Sequence, residues 1–495
     1  MSGNQFRKAF PSTLALILSL FLIKEVLLAS LIPIFQGTDE PVHYATILSQ
    51  NTPTPEYFTK ISDTVSIEAS SFYFFEIASQ KTNLQNFQDT GQDENQIINQ
   101  EINTVSVSNT PLSFYYTISS AIVDFLESHD TQTKMFVLRI FSLFIGVFFV
   151  FLSYHIIRTV GFSKKASALF SATIAFQPMF SFMSAIVNID VALFLTFALY
   201  TYLGVLLLKN GPNAKNILLL ISSAVLGIAA KGPGVILIAT TCILFGYILL
   251  RRYAPSPKKI LISAGVLSIL ITGTIAFFAP RDYLVKITKI SSSSEFDSPL
   301  ESIGKYLNKT MRESEFRDSS LSYWGNFGWL DTPISGWILS VINWIEIIGF
   351  VAVLVYLLMP VLKKMNWIAA VAALPRNDKT GWVPERRYLV FFLGMILALQ
   401  FAIRFYDWRV FDTSGQVLIG QPGRYFLPNL IGHLVLVVVG VRLAVSWVKH
   451  WIAAVATLPR NDKIDFEMIL KILALAMILL QLYAIVNVII PRYYL

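Results

Sequence analysis

The stretch PLSFYYTISSAIVDFL, residues 111–126, decides how this chain is threaded. The composition already points to a membrane: 54% of the 495 residues are hydrophobic and 14% are charged, where a soluble domain carries about a quarter charged. A spanning helix needs about 20 apolar residues. Such runs fall near 12–35, 135–157, 166–186, 190–208, 215–231, 233–250, 259–279, 336–360, 388–404, 425–447 and 467–490, eleven in all. Residues 111–126 are the open case, short and amphiphilic. With Arg7 and Lys8 in the cytoplasm, eleven spans leave Arg158/Lys164/Lys165, Lys209/Lys215, Arg251/Arg252/Lys258/Lys259, Lys363/Lys364/Arg386/Arg387 and Lys449/Lys463 inside. A further crossing at 111–126 throws each cluster outward, against the excess of Lys and Arg that cytoplasmic loops carry. The segment is therefore expected to lie along the outer surface as an interfacial helix. Tyr115 and Tyr116 suit that depth, with the ring buried and the hydroxyl wet.

The expected fold is an all-α polytopic membrane protein: one multi-span domain over 1–495 with about eleven transmembrane helices and a cytoplasmic N-terminus. The N-terminal apolar run from Pro11 continues to Phe35 through Lys24 and Glu25 without a small-residue cleavage pattern, so an uncleaved first span is expected. Two outer loops, 36–134 and 280–335, are too long to be simple connections, and the function is expected on that face. The net charge of +8 speaks to orientation, and no nucleic-acid partner is expected. The single cysteine, Cys242, allows neither an intramolecular disulfide nor a cysteine-based metal site. WIAAVAALPRNDK at 367–379 recurs as WIAAVATLPRNDK at 451–463. Both copies fall in cytoplasmic loops without flanking similarity and read as insertions that loops tolerate.

FQGTDEPVHYA, Phe35 to Ala45, puts acids where the first span ends. Asp39 and Glu40 either cap the helix that Pro41 begins or act as carboxylates at the outer boundary. His43 either orients its carboxylate neighbour or joins both acids around a divalent cation, the one cofactor in question. Asp190, beside Asn188, lies at the membrane surface, where an ionisable group is functional or paired; Lys231 in AAKGPG is the candidate partner. SYWGNFGWLD, Ser322 to Asp331, offers Trp324 and Trp329 as an aromatic belt or as a sugar-stacking surface. In IGQPGRYFLPN, Ile419 to Asn429, Arg424 stands at headgroup depth. It either forks a phosphate, snorkels to headgroups, or pairs with Asp407 or Asp412. Arg139, early in the second span, is a further phosphate or carboxylate partner. Lys24 and Glu25 are adjacent in the first span, and since neighbours i and i+1 do not face each other, each is expected to need another partner. The set suits glycosyl transfer from a lipid-linked phosphosugar: a carboxylate takes the acceptor proton and a cation holds the departing phosphate.

Those motifs in that order resemble the bacterial membrane family called domain of unknown function 2142. They are TDEPVH after the first span, PLSFYY, Arg139 with Ser142, Asp190, FGWLD at 327–331, and QPGRYFLP, Gln421 to Pro428. The resemblance covers nearly the whole chain outside the repeat blocks, with Thr38 standing where a proline is more usual. The family in turn is similar to the GT-C superfamily of polytopic glycosyltransferases. Its members use polyprenyl-phosphate sugars, place a catalytic acid just after the first span and carry interfacial helices in that loop. The resemblance implies Asp39 or Glu40 as base with His43 beside it, and Asp190 holding an acceptor or cation. It also implies Arg424 on the donor phosphate, where the reading of the residues adds Arg139. So implied, the protein is an inverting glycosyltransferase of the bacterial cytoplasmic membrane, passing a sugar to a cell-envelope glycan, lipid or protein on the extracytoplasmic face. An envelope polysaccharide polymerase or ligase, and a lipid-linked glycan transporter or flippase, are the alternatives. Lys24 and Glu25 speak for the transporter.

Overall fold

Apolar helices make up nearly all of the described chain. The computed structural model describes residues 12–51, 113–252, 298–310, 313–364, 383–415, 422–456 and 466–494. In order these hold α1 (Ser12–Leu31), α2 (Glu40–Leu48), α3 (Phe114–Phe125), α4 (Thr131–Val160), α5 (Lys164–Ala175), α6 (Pro178–Ser184), α7 (Asp190–Asn210), α8 (Ala214–Ala230) and α9 (Ile236–Arg252). Then follow α10 (Pro299–Thr310), α11 (Glu313–Trp324), α12 (Gly336–Lys364), α13 (Arg386–Ser414), α14 (Leu430–Ala456), α15 (Phe466–Ala484) and α16 (Ile490–Tyr494). The described strands are two-residue pieces, with Asn326 paired to Pro333 and Phe327 to Thr332.

Among the described residues seven helices are long and apolar enough to cross a membrane: α1, α4, α7, α12, α13, the Gly423–Asn429 turn with α14, and α15 through α16. α5 and α6, bent by 68° at their junction, make an eighth if the pair is one span. The protein is therefore a multi-pass membrane protein, with seven or eight of the eleven expected spans in view among the described residues. The runs at 215–231 and 233–250 are helices of 17 residues each, which rise about 25 Å against a hydrocarbon core of about 30 Å. The run at 259–279 lies outside the described residues, as do 52–112 of the first outer loop, 280–297 of the second and the repeat block at 367–379. The block at 451–463 is described only to 456, where it continues α14.

α7 occupies the centre, with 78% of its apolar window buried, and α12 the edge, with 22%. α12 closes onto α14 where Gly349 meets Gly440: a Cβ on Gly440 would lie 1.8 Å from the Gly349 carbonyl oxygen. Small residues at a crossing let two backbones approach in this way.

The bend between α5 and α6 follows from Pro178, which cannot continue the ladder from α5 and starts α6 instead. Lys24 of α1 reaches into this break, donating to the Ala175 carbonyl at 2.6 Å and to the Ser181 hydroxyl. Its ammonium also lies 2.8 Å from the Glu25 carboxylate. The two neighbours thus pair with each other after all, because the long lysine stem curls back while its ammonium caps the end of α5.

α3 starts at Phe114, with the Ser113 hydroxyl accepting from the Tyr115 amide, and its 12 residues are too few to cross. Tyr115 and Tyr116 are buried, but their hydroxyls are not wet as expected. Tyr115 bonds Ser142 at 2.8 Å, and Tyr116 bonds His43 at 2.7 Å.

Candidate functional site

Where α1 leaves the membrane-spanning layer the chain turns through Gly37-Thr38-Asp39 into α2. Asp39 adopts the left-handed conformation, φ 64° and ψ 9°, which costs most side chains roughly 1–2 kcal/mol and which Asp tolerates better than most. Its carboxylate makes no cap to α2. That sets aside capping by Asp39 and leaves the carboxylate directed elsewhere.

The two adjacent acids go to two different arginines. Glu40 meets Arg139 in a fork, Nε to Oε1 at 2.9 Å and Nη2 to Oε2 at 2.7 Å. The Val187 amide donates to Oε1 at 2.9 Å and the Gly37 amide to Oε2 at 3.1 Å. The remaining guanidinium donors of Arg139 reach the carbonyls of Ala29, Ile32 and Pro33. All five donors of Arg139 are thereby used. Glu40 is fully buried and Arg139 almost so. This pair ties α1, α2, α4 and the α6–α7 connection together. As a correction to the sequence reading, Arg139 has no donor left for a phosphate, and Glu40 could act as a base only by breaking this network.

Asp39 instead faces Arg424, which donates from Nη2 to Oδ2 at 2.6 Å. The Asp39 side chain stays 38% exposed while that of Arg424 is 5% exposed. Among the described residues no acceptor lies within hydrogen-bond reach of the buried Nε and Nη1 of Arg424. It rides on the 3-10 turn Gly423–Asn429, framed by Pro422 and Pro428. α11 clamps that turn: the Gly423 amide donates to the Ser322 hydroxyl at 2.5 Å, and a Cβ on Gly423 would lie 1.8 Å from the Ser319 carbonyl. Asp407 and Asp412, the partners weighed for Arg424, bond Tyr306 and Arg409 instead.

Asp190 opens α7 and pairs with Lys231 at the α8–α9 turn. Asn188 holds the approach, accepting from the Asp190 amide at 2.8 Å and donating to the Thr38 carbonyl at 3.2 Å. Lys231 and Arg424 both lie over the Tyr425 ring, 5.2 and 5.3 Å from its centre, a cation–π arrangement. Asp39, Asp190, Lys231 and Arg424 thus form one cluster of two ion pairs about Tyr425.

His43 corrects another expectation. Its Nδ1 meets the Tyr116 hydroxyl rather than either carboxylate. Burial pushes its pKa down to about 4, against the pull of Asp39, so the ring is neutral at pH 7. Burial raises the Asp39 carboxyl, but Arg424, His43 and Lys231 outweigh that and hold it below the ordinary carboxylate value. Burial lowers Lys231, and Asp190 more than compensates. Among the described residues no three His, Cys, Asp or Glu side chains converge as a metal site: Glu40 turns away into Arg139, so the Asp39–Glu40–His43 trio does not fit a cation.

The tryptophans divide. Trp324 is 2% exposed, packs against Tyr323 and His433 and donates to Glu346 at 3.2 Å, so it presents no face to a sugar. Trp329 is half-buried, its indole 3.4 Å from the Phe35 carbonyl, and Thr38 bonds the Gly328 carbonyl at 2.6 Å. The FGWLD turn thereby packs on the Asp39 segment. Sequence reading missed the group behind Arg424: Glu346, His433 and Tyr323, joined at 3.0 and 2.6 Å. A Glu and a His inside otherwise apolar runs were the available signal.

Residues 21–433 match the family described as predicted membrane protein (DUF2142), and the chain belongs to that family. No curated protein and no solved structure matches it.

Proposed function

We propose that this DUF2142 protein is a GT-C-type inverting glycosyltransferase that moves a sugar from a polyprenyl-phosphate donor to a cell-envelope acceptor on the extracytoplasmic face. The observation that carries the reading is Arg424: a buried guanidinium with two donor nitrogens that find no acceptor among the described residues, beside a carboxylate that remains accessible. Leaving buried donors unpaired is costly, and a phosphate is the group a guanidinium fork fits. The acceptor hydroxyl attacks the anomeric carbon from the face opposite the phosphate. The carbon–oxygen bond to phosphate breaks, the electron pair leaves with polyprenyl phosphate, and the hydroxyl proton passes to Asp39. Such base catalysis contributes about 10²–10⁴-fold. Asp190 and Lys231 flank the acceptor side, and Trp329 is the remaining ring for a sugar.

Order of events follows from the guanidinium. Both of its bidentate edges include Nη2, the nitrogen that Asp39 occupies. A phosphate taking either edge must share or displace Asp39. While bound to Arg424 the carboxylate is a weakened base, and donor binding releases it.

The test is release of polyprenyl phosphate by purified protein in nanodiscs, supplied with a panel of polyprenyl-phosphate sugars. Release that Asp39→Asn abolishes supports the reading; no release from any donor, or equal release by Asp39→Asn, rejects it. A second reading, transport of a lipid-linked glycan, draws on Lys24 at the break between α5 and α6, since discontinuous helices with buried charge mark transporter sites. It predicts transbilayer movement of a fluorescent lipid-linked glycan that Lys24→Met stops and Asp39→Asn leaves intact.

A further inference from the structure

α10 sorts its side chains into three sectors at about 100° per residue. Ser302, Tyr306 and Thr310 share one side and are buried. That side docks on α13: the Tyr306 hydroxyl donates to Asp407 at 2.8 Å and the Trp408 indole to Ser302 at 3.1 Å. Glu301, Lys305 and Lys309 lie about 100° round from that side, with Glu301 and Lys305 joined at 2.7 Å and substantially exposed and Lys309 reaching back to the Gly415 carbonyl at the end of α13 at 3.4 Å. The third sector is apolar yet uncovered: Leu300 is 83% exposed, and Ile303 and Leu307 beside it are also exposed.

A helix whose circumference divides into a protein side, a charged side and a bare apolar side sits where protein, water and lipid meet. Its place on α13 agrees. From Arg386 to Asp407 that helix rises about 30 Å, the thickness of the hydrocarbon core. Below the docking point α13 exposes Val390, Leu397, Phe401 and Phe405, a stripe continuous with membrane-facing surface, and Trp408 lies at its upper end. On that placement Lys305 and Lys309 fall near the level of lipid phosphates, which attract cations, Lys309 while also donating to the Gly415 carbonyl at 3.4 Å.

We infer that α10 lies in the plane of the membrane surface, with Leu300, Ile303 and Leu307 immersed among phospholipid acyl chains and Lys305 and Lys309 at the headgroups. The same partition recurs on α3, where Ile118 and Phe125 are exposed while Tyr116 bonds His43. Two in-plane helices then fix the depth of the site: α3 through α2, and α10 through α13. This surface holds whether the site transfers a sugar or not.

The test uses the single cysteine, Cys242. In a Cys242→Ala background, nitroxide labels are placed singly at 300, 303 and 307 and at 301, 305 and 309 of the full-length protein in phospholipid nanodiscs, with a label at 401 as the lipid-facing reference. Collision with oxygen is compared with collision with a water-soluble nickel chelate. Oxygen dominates at 300, 303, 307 and 401 and nickel at 301, 305 and 309 if α10 lies on lipid. Nickel collisions at 300, 303 and 307 equal to those at 305 overturn the inference, because the stripe is then in water. Loss of collisions with both probes there also overturns it, because a second protein surface then covers the stripe.

Discussion

Asp39 and Glu40 are adjacent in sequence, and each meets an arginine, yet the two pairs are opposites. Glu40 and Arg139 satisfy each other and their surroundings completely and are shut off from solvent. Asp39 keeps an accessible carboxylate, and Arg424 keeps buried donors that find no acceptor among the described residues. A closed pair can hold helices in place but has nothing left for a ligand, whereas an open pair holds less and can exchange partners. The same residue types therefore form a closed tie at one position and an open pair at the next.

The largest effect that sharpens this contrast is on turnover. Asp39→Asn should lower polyprenyl phosphate release about 10²–10⁴-fold with little change in the unfolding midpoint; an equal loss of stability would dissolve the distinction. Glu40→Gln should do the reverse in kind. Breaking one partner of a buried pair costs about 3–5 kcal/mol, read as a lowered thermal unfolding midpoint in detergent. Arg424→Lys keeps the charge and loses the fork, so polyprenyl phosphate measured by native mass spectrometry should bind roughly 10–100-fold more weakly, the equivalent of a charged hydrogen bond. The smallest effect is with pH. His43 protonates near 6.5 when unfolded and at about 4 when folded, so the unfolded chain binds the extra proton between those values. Stability should fall as pH drops from 6.5 towards 4 and stay level above 6.5. His43→Gln should flatten that slope. Asp39, held below 3.8, contributes stability that is lost only at lower pH still.

Much of the site was legible because polar residues at the ends of apolar runs announce themselves. Asp39, His43, Asp190, Lys231 and Arg424 each stand at such a boundary, and the fold gathers them. What was not legible depended on backbone groups distant in sequence. Nothing in the neighbourhood of Arg139 tells that the carbonyls of Ala29, Ile32 and Pro33 will consume its donors. The bend at Pro178 carried a signal in the proline itself, but the apolar run from 166 to 186 masked it. Span counting from hydropathy registers apolar length alone, so the two runs that form helices of 17 residues counted the same as those that form longer ones. The three-sided character of α10 was readable in the spacing of Leu300, Ile303 and Leu307, and the polar loop around it hid the pattern.

On the proposed mechanism Arg424 exchanges Asp39 for a lipid-linked phosphate while Arg139 does not move. Cryo-electron microscopy of the protein in nanodiscs with polyprenyl phosphate tests it directly. Phosphate density is expected on an edge of Arg424, with Asp39 shifted from Nη2 and the Glu40–Arg139 fork unchanged. Phosphate held by Arg139 with Glu40 released, or bound away from both arginines with the Asp39–Arg424 pair intact, would contradict it.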